Sequence, residues 1–401
     1  MPKLEKLRRV RFRGSDRRVL FFETGYFLNR EIQNTAKALG WELQCFPLLD
    51  EYDDPDKFLP ALLAAVDRFR PDFILTVNHF GVDRAGGLLR LCKRIALPLA
   101  TWFVDDPLLT LPFFDEAQNP WLTVFSYDRD CVKPLKTNGY ANVFPLPLGT
   151  DTSVFNENVG FDDRLECDVS FVGDSKQAFV QERLEYGQFP KALLDAWEEL
   201  AGAYLEEKAS DPVGFITHKR PDLSMDIGLI GHDRRVWFAQ LVRAEATRRH
   251  RERCVQSMLP LRPTLVGRDW PEIVGSASGA RFIEALSYYE HLPTFYRSCT
   301  VNLNITGTGA GVPNQRIFDV PAVGGFVLTD NVPQLSRYYD IGDEVAVYES
   351  HDEIAEAIRR WQRNPKERRE MIEKAMRRTL AEHTYQHRLQ RMGDILSRLY
   401  S

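Results

Sequence analysis

Short apolar runs alternate with amphipathic stretches along most of the chain. Arg18-Val19-Leu20-Phe21-Phe22-Glu23 ends at Thr24-Gly25. Ile32, Ala36 and Leu39 then fall at helical spacing before Gly40, a residue type suited to ending a helix. Residues 41–46 alternate like a strand, so this opening reads as strand, glycine turn, helix, strand: a βαβ unit. The rhythm continues with helices at 60–69 and 84–95 and strands at 71–77, 99–104, 122–126 and 143–146. Strands that are apolar without interruption are buried on both faces, which predicts a parallel sheet covered by helices. A first Rossmann-like domain is expected at 17–155, behind a basic N-terminal arm at 1–16.

Residues 149–166 are polar and read as a linker, after which the alternation restarts at 168–173. Residues 176–260 break the rhythm: they are long, helical and rich in Glu, Arg, Leu and Ala. They are expected to form a helical insertion, serving as a wall for a substrate or as a dimer contact. Strands resume at 263–267, 300–305, 325–330 and 344–348, followed by helices at 352–362, 365–380 and 388–399. The expected fold class is α/β, with two Rossmann-like domains. The second spans 156–380 and carries the insertion, and a closing helix is expected within 381–401. Parallel sheets bind ligands at the carboxyl ends of their strands, so two such sheets facing each other would line a cleft.

Composition narrows the function classes. A formal net charge of -5 argues against a general nucleic-acid binder, and 44% hydrophobic residues exclude disorder as the main state. No run of about 18 apolar residues occurs, so no spanning helix is expected. The cysteines stand singly without CxxC spacing, which argues against a zinc ribbon and fits a reducing, cytoplasmic compartment. The basic residues of the 243–253 stretch read as a solvated helix face.

Candidate chemistry gathers after the strands. The strand at 301–305 runs into Gly307-Thr308-Gly309-Ala310-Gly311, then Val312-Pro313-Asn314 and a helical segment. Glycines permit backbone conformations that aim amides into one concavity, and the following helix N-terminus adds partial positive charge, so the turn reads as a diphosphate cradle. Val312 stands where a GxGxxG motif has its third glycine, and a plain surface loop is the alternative. Arg316 and Asp319 share a helical face, the first suited to phosphate and the second to a ribose hydroxyl. Gly173, Lys176 and Arg268 follow strands and offer further phosphate contacts, with ordinary surface turns as the alternative. Trp270 suits stacking on a base or burial in a core.

The stretch 314–330, NQRIFDVPAVGGFVLTD, resembles the signature of CgeB-like, spore-maturation-type glycosyltransferases. Asp340-Ile341-Gly342-Asp343-Glu344 and residues 383–388 add to the match, and residues 102–107 resemble the domain that often precedes that module. The resemblance implies a GT-B architecture, with donor nucleotide mainly on the second domain, acceptor mainly on the first, and the terminal helix at 381–401 returning to the first domain. It implies a transferase that moves a sugar from a UDP- or GDP-linked donor, needs no other cofactor, and acts on a protein, surface glycan or small molecule. Related enzymes often carry two glutamates separated by seven residues; Asp319 matches the second, while Gly311 stands eight residues before it.

On the acceptor side, Asp105 and Asp106 directly follow a strand and are candidate catalytic acids. The alternative is a capping Asp105 and an Asp-Pro turn at Asp106-Pro107. His79 is a rival base or an ordinary loop histidine. Glu23, Gly25 and Tyr26 close the first strand and are expected to line the acceptor. No metal-carboxylate motif is evident, so a metal-independent reaction is expected. Two further readings stay open: a nucleotide-sugar epimerase, and a non-catalytic protein that binds or assembles around nucleotide sugar.

Overall fold

The computed structural model describes the chain except residues 1–3, 10, 13, 15, 49–53 and 310. It divides into two compact units, one of residues 1–151 with 383–401, the other of residues 152–382.

The first unit begins with α1 (Leu4–Leu7), β1 (Arg18–Glu23), α2 (Asn29–Ala38), β2 (Glu42–Pro47), α3 (Pro55–Phe69) and β3 (Phe73–Val77). It continues with α4 (Gly87–Ile95), β4 (Leu99–Phe103), α5 (Pro107–Thr110), β5 (Leu122–Ser126), α6 (Val132–Thr137) and β6 (Asn142–Pro145). The six strands form one parallel sheet in the order β2-β1-β3-β4-β5-β6. Strands β3, β4 and β5 are buried at every position, as continuous apolar runs require. The strand order reverses between β1 and β3, so this unit's topological switch point lies there.

The described part of the 1–16 segment does not stand off as an arm. Leu7, Arg11 and Phe12 are buried in the unit. The Arg11 guanidinium donates to the carbonyl oxygens of Ala96 (2.6 Å), Ile95 (3.4 Å) and Pro71. Two of these carbonyls close α4, where unpaired acceptors and the helix dipole favour a cation.

The second unit opens with β7 (Cys167–Val172) and then five helices: α7 (Gln177–Tyr186), α8 (Lys191–Glu207), α9 (Pro212–Lys219), α10 (Ser224–Leu229) and α11 (Gly231–Met258). They surround their own core of Leu193, Leu200, Tyr204, Phe238, Leu241 and Val242. The alternation resumes with β8 (Thr264–Val266), α12 (Trp270–Val274), β9 (Arg281–Ile283), α13 (Leu292–Ser298) and β10 (Cys299–Asn304). It ends with α14 (Arg316–Ala322), β11 (Val327–Asp330), β12 (Ala346–Tyr348), α15 (Ile354–Arg363) and α16 (Pro365–Glu382). The sheet is parallel, ordered β12-β11-β10-β7-β8-β9, and its switch point lies between β7 and β10. Strand β9 is three residues long and half-buried, too short to leave a periodic signal in sequence.

The last helix, α17 (Tyr385–Tyr400), belongs to the first unit. Its Tyr385, Leu389, Met392 and Leu396 pack with Phe21, Phe73 and Trp102, and Gly393 lies against the Trp41 ring. Thr384 caps it, accepting from the His387 backbone N–H. No helix among the described residues is long and apolar enough to cross a membrane.

Candidate functional site

In the second unit, the switch point is built around the ring of Phe171, near the end of β7. The Arg316 guanidinium lies 5.5 Å from the ring centroid, and that of Arg251 lies 5.8 Å from it. Arg316 Nη1 donates to Asn304 Oδ1 at 2.7 Å, at the end of β10. Its Nη2 passes Gly173 so closely that a Cβ there would sit 3.1 Å away. Arg251 comes from α11; it donates to the Asp174 carbonyl, and its buried Nε has no partner among the described residues. Burial, then the charge of Arg316, pulls the Arg251 guanidinium down to about 10, while Asp174 and Asp330 oppose the shift. Two like charges, one of them buried, are costly without a counter-anion, and a cation pair of this kind at a switch point is suited to a phosphate group.

Asp330, at the end of β11, accepts from the Thr306 N–H (3.1 Å) and hydroxyl (2.9 Å). Burial raises its pKa above the usual carboxylate value, against those hydrogen bonds. Asn314 closes the loop before α14: its Nδ2 donates to the Ile305 carbonyl and its Oδ1 accepts from the Arg316 N–H, both at 3.3 Å.

Several expected donor residues are otherwise engaged. The Thr308 N–H donates to Thr247 Oγ1 on α11 (3.1 Å), and a Cβ on Gly309 would lie 2.3 Å from the Tyr204 hydroxyl of α8. The turn is thus packed against the helical insertion at Gly307–Gly309 rather than open as a cradle. Ala310 lies outside the described residues, and the Gly311 carbonyl accepts from the Gln334 N–H. Asp319 is fully buried, with Tyr288 Oη–H donating to one oxygen (2.7 Å) and Gln315 Nε2 to the other (3.0 Å). These bonds make it an internal anchor instead of an open ribose acceptor. Arg268 is not a free phosphate cation; it pairs with Asp174 at 2.8 Å. Burial raises the Asp174 pKa, but the Arg268 hydrogen bonds outweigh that and hold it below the usual value. Lys176, in a left-handed conformation before α7, places Nζ 5.7 Å from the Phe179 ring centroid.

Trp270 is fully buried, not exposed for stacking on a base, and its Nε1–H donates to the Gly173 carbonyl at 2.8 Å. Gly267 supports the same turn. Its φ is +142°, and an added Cβ would meet the Gly173 carbonyl oxygen at 2.4 Å. Gly267→Ala is therefore expected to cost about 1–3 kcal/mol in backbone strain. Thermal unfolding should read this as a fall of roughly 2–4 °C per kcal/mol; an unchanged midpoint would refute the close approach.

In the first unit, the switch point gathers Tyr26, Asn78 and Asp105. Tyr26 Oη–H (2.9 Å) and Asn78 Nδ2 (2.7 Å) both donate to Asp105 Oδ2. Asn78 Oδ1 accepts from the Val104 N–H at 2.9 Å, which fixes the loop after β4. Asp105 is exposed, and its Oδ1 has no hydrogen bond among the described residues. Burial, joined by the Asp105 charge, raises the Tyr26 pKa, so the phenol stays a donor. Glu23 accepts from Gln33 Nε2 at 2.6 Å, and Gly25 turns the chain at a φ of +70°. Asp106, not Asp105, is the N-cap of α5, accepting from the Leu108 N–H at 3.0 Å ahead of Pro107, so the cap falls one residue later than the alternative reading placed it and engages Asp106 structurally.

His79 does not reach this site. It is 2% exposed, packed between Phe103 and Phe114, with neither ring nitrogen partnered among the described residues. Burial lowers its pKa to about 3, with nearby Asp83 opposing, so it is not a base poised near neutrality. Below its ordinary pKa of about 6.5 the unfolded chain binds a proton that the native ring refuses, so stability falls as pH drops. From pH 6.5, where half of the unfolded rings already carry the proton, to pH 5 the loss is about 1.6 kcal/mol. His79→Leu should abolish that increment in urea unfolding at the two pH values; equal pH slopes would refute the burial.

Arg251 and Asn78 are the residues that sequence reasoning missed. Thr247, Arg251, Cys254 and Met258 step by three and four along the buried face of α11, which was the available signal for Arg251. Asn78 carried none beyond its place after a strand. No cluster of three or more His, Cys, Asp or Glu able to hold a metal ion occurs among the described residues.

Residues 243–394 match the family described as glycosyl transferase-like, a stretch that begins in α11 and includes Arg251, Asn304 and Arg316. No curated protein matches the chain by sequence. The fold is similar to that of a glycosyltransferase from Rickettsia africae ESF-5 (TM-score 0.58, 9% identity, 96% of this chain and 99% of that one). It is also similar to sucrose-phosphate synthase from Thermosynechococcus elongatus (TM-score 0.56, 12% identity, 95% and 98%). HepE of Anabaena, solved with UDP and glucose, is a third (TM-score 0.52, 10% identity, 95% and 100%). These likenesses establish the GT-B type of fold, with its two Rossmann-like sheets.

Proposed function

We propose that this chain, whose residues 243–394 belong to the glycosyl transferase-like family and whose fold is of the GT-B type, transfers a sugar from a nucleoside-diphosphate donor to a hydroxyl-bearing acceptor. The observation that carries the reading is the Arg251–Arg316 pair over Phe171 at the second switch point. As the bond between sugar and diphosphate breaks, negative charge grows on the leaving phosphate. Two fixed guanidiniums stabilise that charge without reorganising. On the first unit, Asp105 takes the proton from the acceptor hydroxyl through Oδ1, while Tyr26 and Asn78 hold its other oxygen.

The HepE structure with UDP and glucose favours a UDP-sugar as the first donor to try. Residues 314–330 favour the CgeB-like branch of the family. Thermal shift with UDP and GDP, then mass spectrometry of UDP-sugar incubations, tests the proposal. Stabilisation by UDP and its release from a UDP-sugar are expected; no stabilisation by either diphosphate and no turnover would overturn it. Because the arginines supply the positive charge, turnover is expected to persist in EDTA; loss restored by Mg²⁺ or Mn²⁺ would contradict that.

A further inference from the structure

The six cysteines stand far apart in sequence, but the second sheet brings two together. Cys167 and Cys299 are register partners at the starts of β7 and β10, the end of the sheet opposite the arginine pair. Their sulfurs lie 2.9 Å apart and share a hydrogen bond. Neighbouring strands run about 4.8 Å apart. That lies inside the roughly 4.4–6.8 Å Cα window a disulfide requires, so a bond forms with little backbone movement.

The two thiols are not equivalent. Cys167 is half-buried, whereas Cys299 is 4% exposed. Hydrogen bonding from Cys299, with Thr264 and the Arg281 charge, favours the Cys167 thiolate against burial and the Asp168 charge. Burial keeps Cys299 protonated. The pair thus has one partly exposed cysteine able to attack and one sheltered cysteine able to resolve.

We propose that Cys167 and Cys299 form a disulfide in response to a hydroperoxide. The Cys167 thiolate attacks one peroxide oxygen of hydrogen peroxide, the O–O bond breaks, and the departing hydroxide takes up a proton to leave as water. The Cys299 sulfur then attacks the resulting sulfenic acid at sulfur; its proton leaves with the displaced hydroxide as a second water. Two thiols and one peroxide yield one disulfide and two waters, so electrons and atoms balance. The bond ties together the two strands that flank the switch point, independently of whether the enzyme transfers sugar.

The full chain is treated with hydrogen peroxide, its remaining thiols are alkylated, and it is digested with trypsin without reductant. The expected product is peptide 165–176 joined to peptide 298–316, lost after dithiothreitol. In Cys299→Ser, Cys167 should instead be trapped by dimedone as the sulfenic acid. Wild-type protein in which Cys167 proceeds to sulfinic acid without the joined peptides, or stays reduced while other cysteines oxidise, would overturn the proposal.

Discussion

Asp105→Asn is expected to lower kcat by roughly 10²–10⁴-fold, the usual contribution of a positioned general base. The substitution removes charge but keeps shape. The Asn oxygen still accepts from Tyr26 and Asn78, as Asp105 Oδ2 does at 2.9 and 2.7 Å, so the loop after β4 keeps its form. KM for the donor should change little, because the Arg251–Arg316 pair belongs to the other unit. The measurement is steady-state release of nucleotide from a UDP-sugar, to acceptor or to water. Asp106→Ala is the contrast: loss of its bond to the Leu108 N–H should cost about 1 kcal/mol of stability and leave kcat within a few-fold. Equal kcat in wild type and Asp105→Asn would remove Asp105 as the base.

Arg316→Ala and Arg251→Met are each expected to weaken UDP binding by roughly 1.5–3 kcal/mol, or about 10–150-fold, as charged hydrogen bonds are lost. Their effects on the free protein should differ. Arg316 is held by Asn304, so its removal leaves a buried amide oxygen short of a donor and lowers Tm. Arg251 is buried beside a like charge, its Nε unpartnered among the described residues. Methionine fills much of the same space and relieves the repulsion, which offsets the lost bond to the Asp174 carbonyl, so Tm should fall less than in Arg316→Ala while affinity falls. Calorimetric titration with UDP alongside thermal unfolding gives both readouts. UDP affinity within twofold of wild type in both variants would place the diphosphate elsewhere.

The strands were legible because parallel-sheet burial writes an uninterrupted apolar run: Phe73–Val77 and Leu99–Phe103 are buried at every position. The helical character of 176–260 was equally plain from composition. What sequence could not supply was the partner of each polar group. Asp319 looks like a ribose acceptor until Tyr288, 31 positions away, occupies it. Gly309 looks like a phosphate turn until Tyr204 abuts it. Asp105 and Asp106 are adjacent and chemically alike. One faces solvent with two donors on a single oxygen, and the other caps a helix; the difference arises where the chain bends into α5. Arg251 stands among several arginines, and only the three-and-four step of its buried neighbours sets it apart.

Helix α11 carries both Thr247, which occupies the Thr308 amide, and Arg251, which lies over Phe171. A slide of one residue along its axis, about 1.5 Å, would disturb both contacts together. The five-helix block is therefore not ornament that trimming could remove to reveal a minimal transferase. Excising 176–260 would take away one of the two guanidiniums and unseat the glycine turn, so on the proposed function a truncated form that still turns over would have to keep at least the C-terminal half of α11.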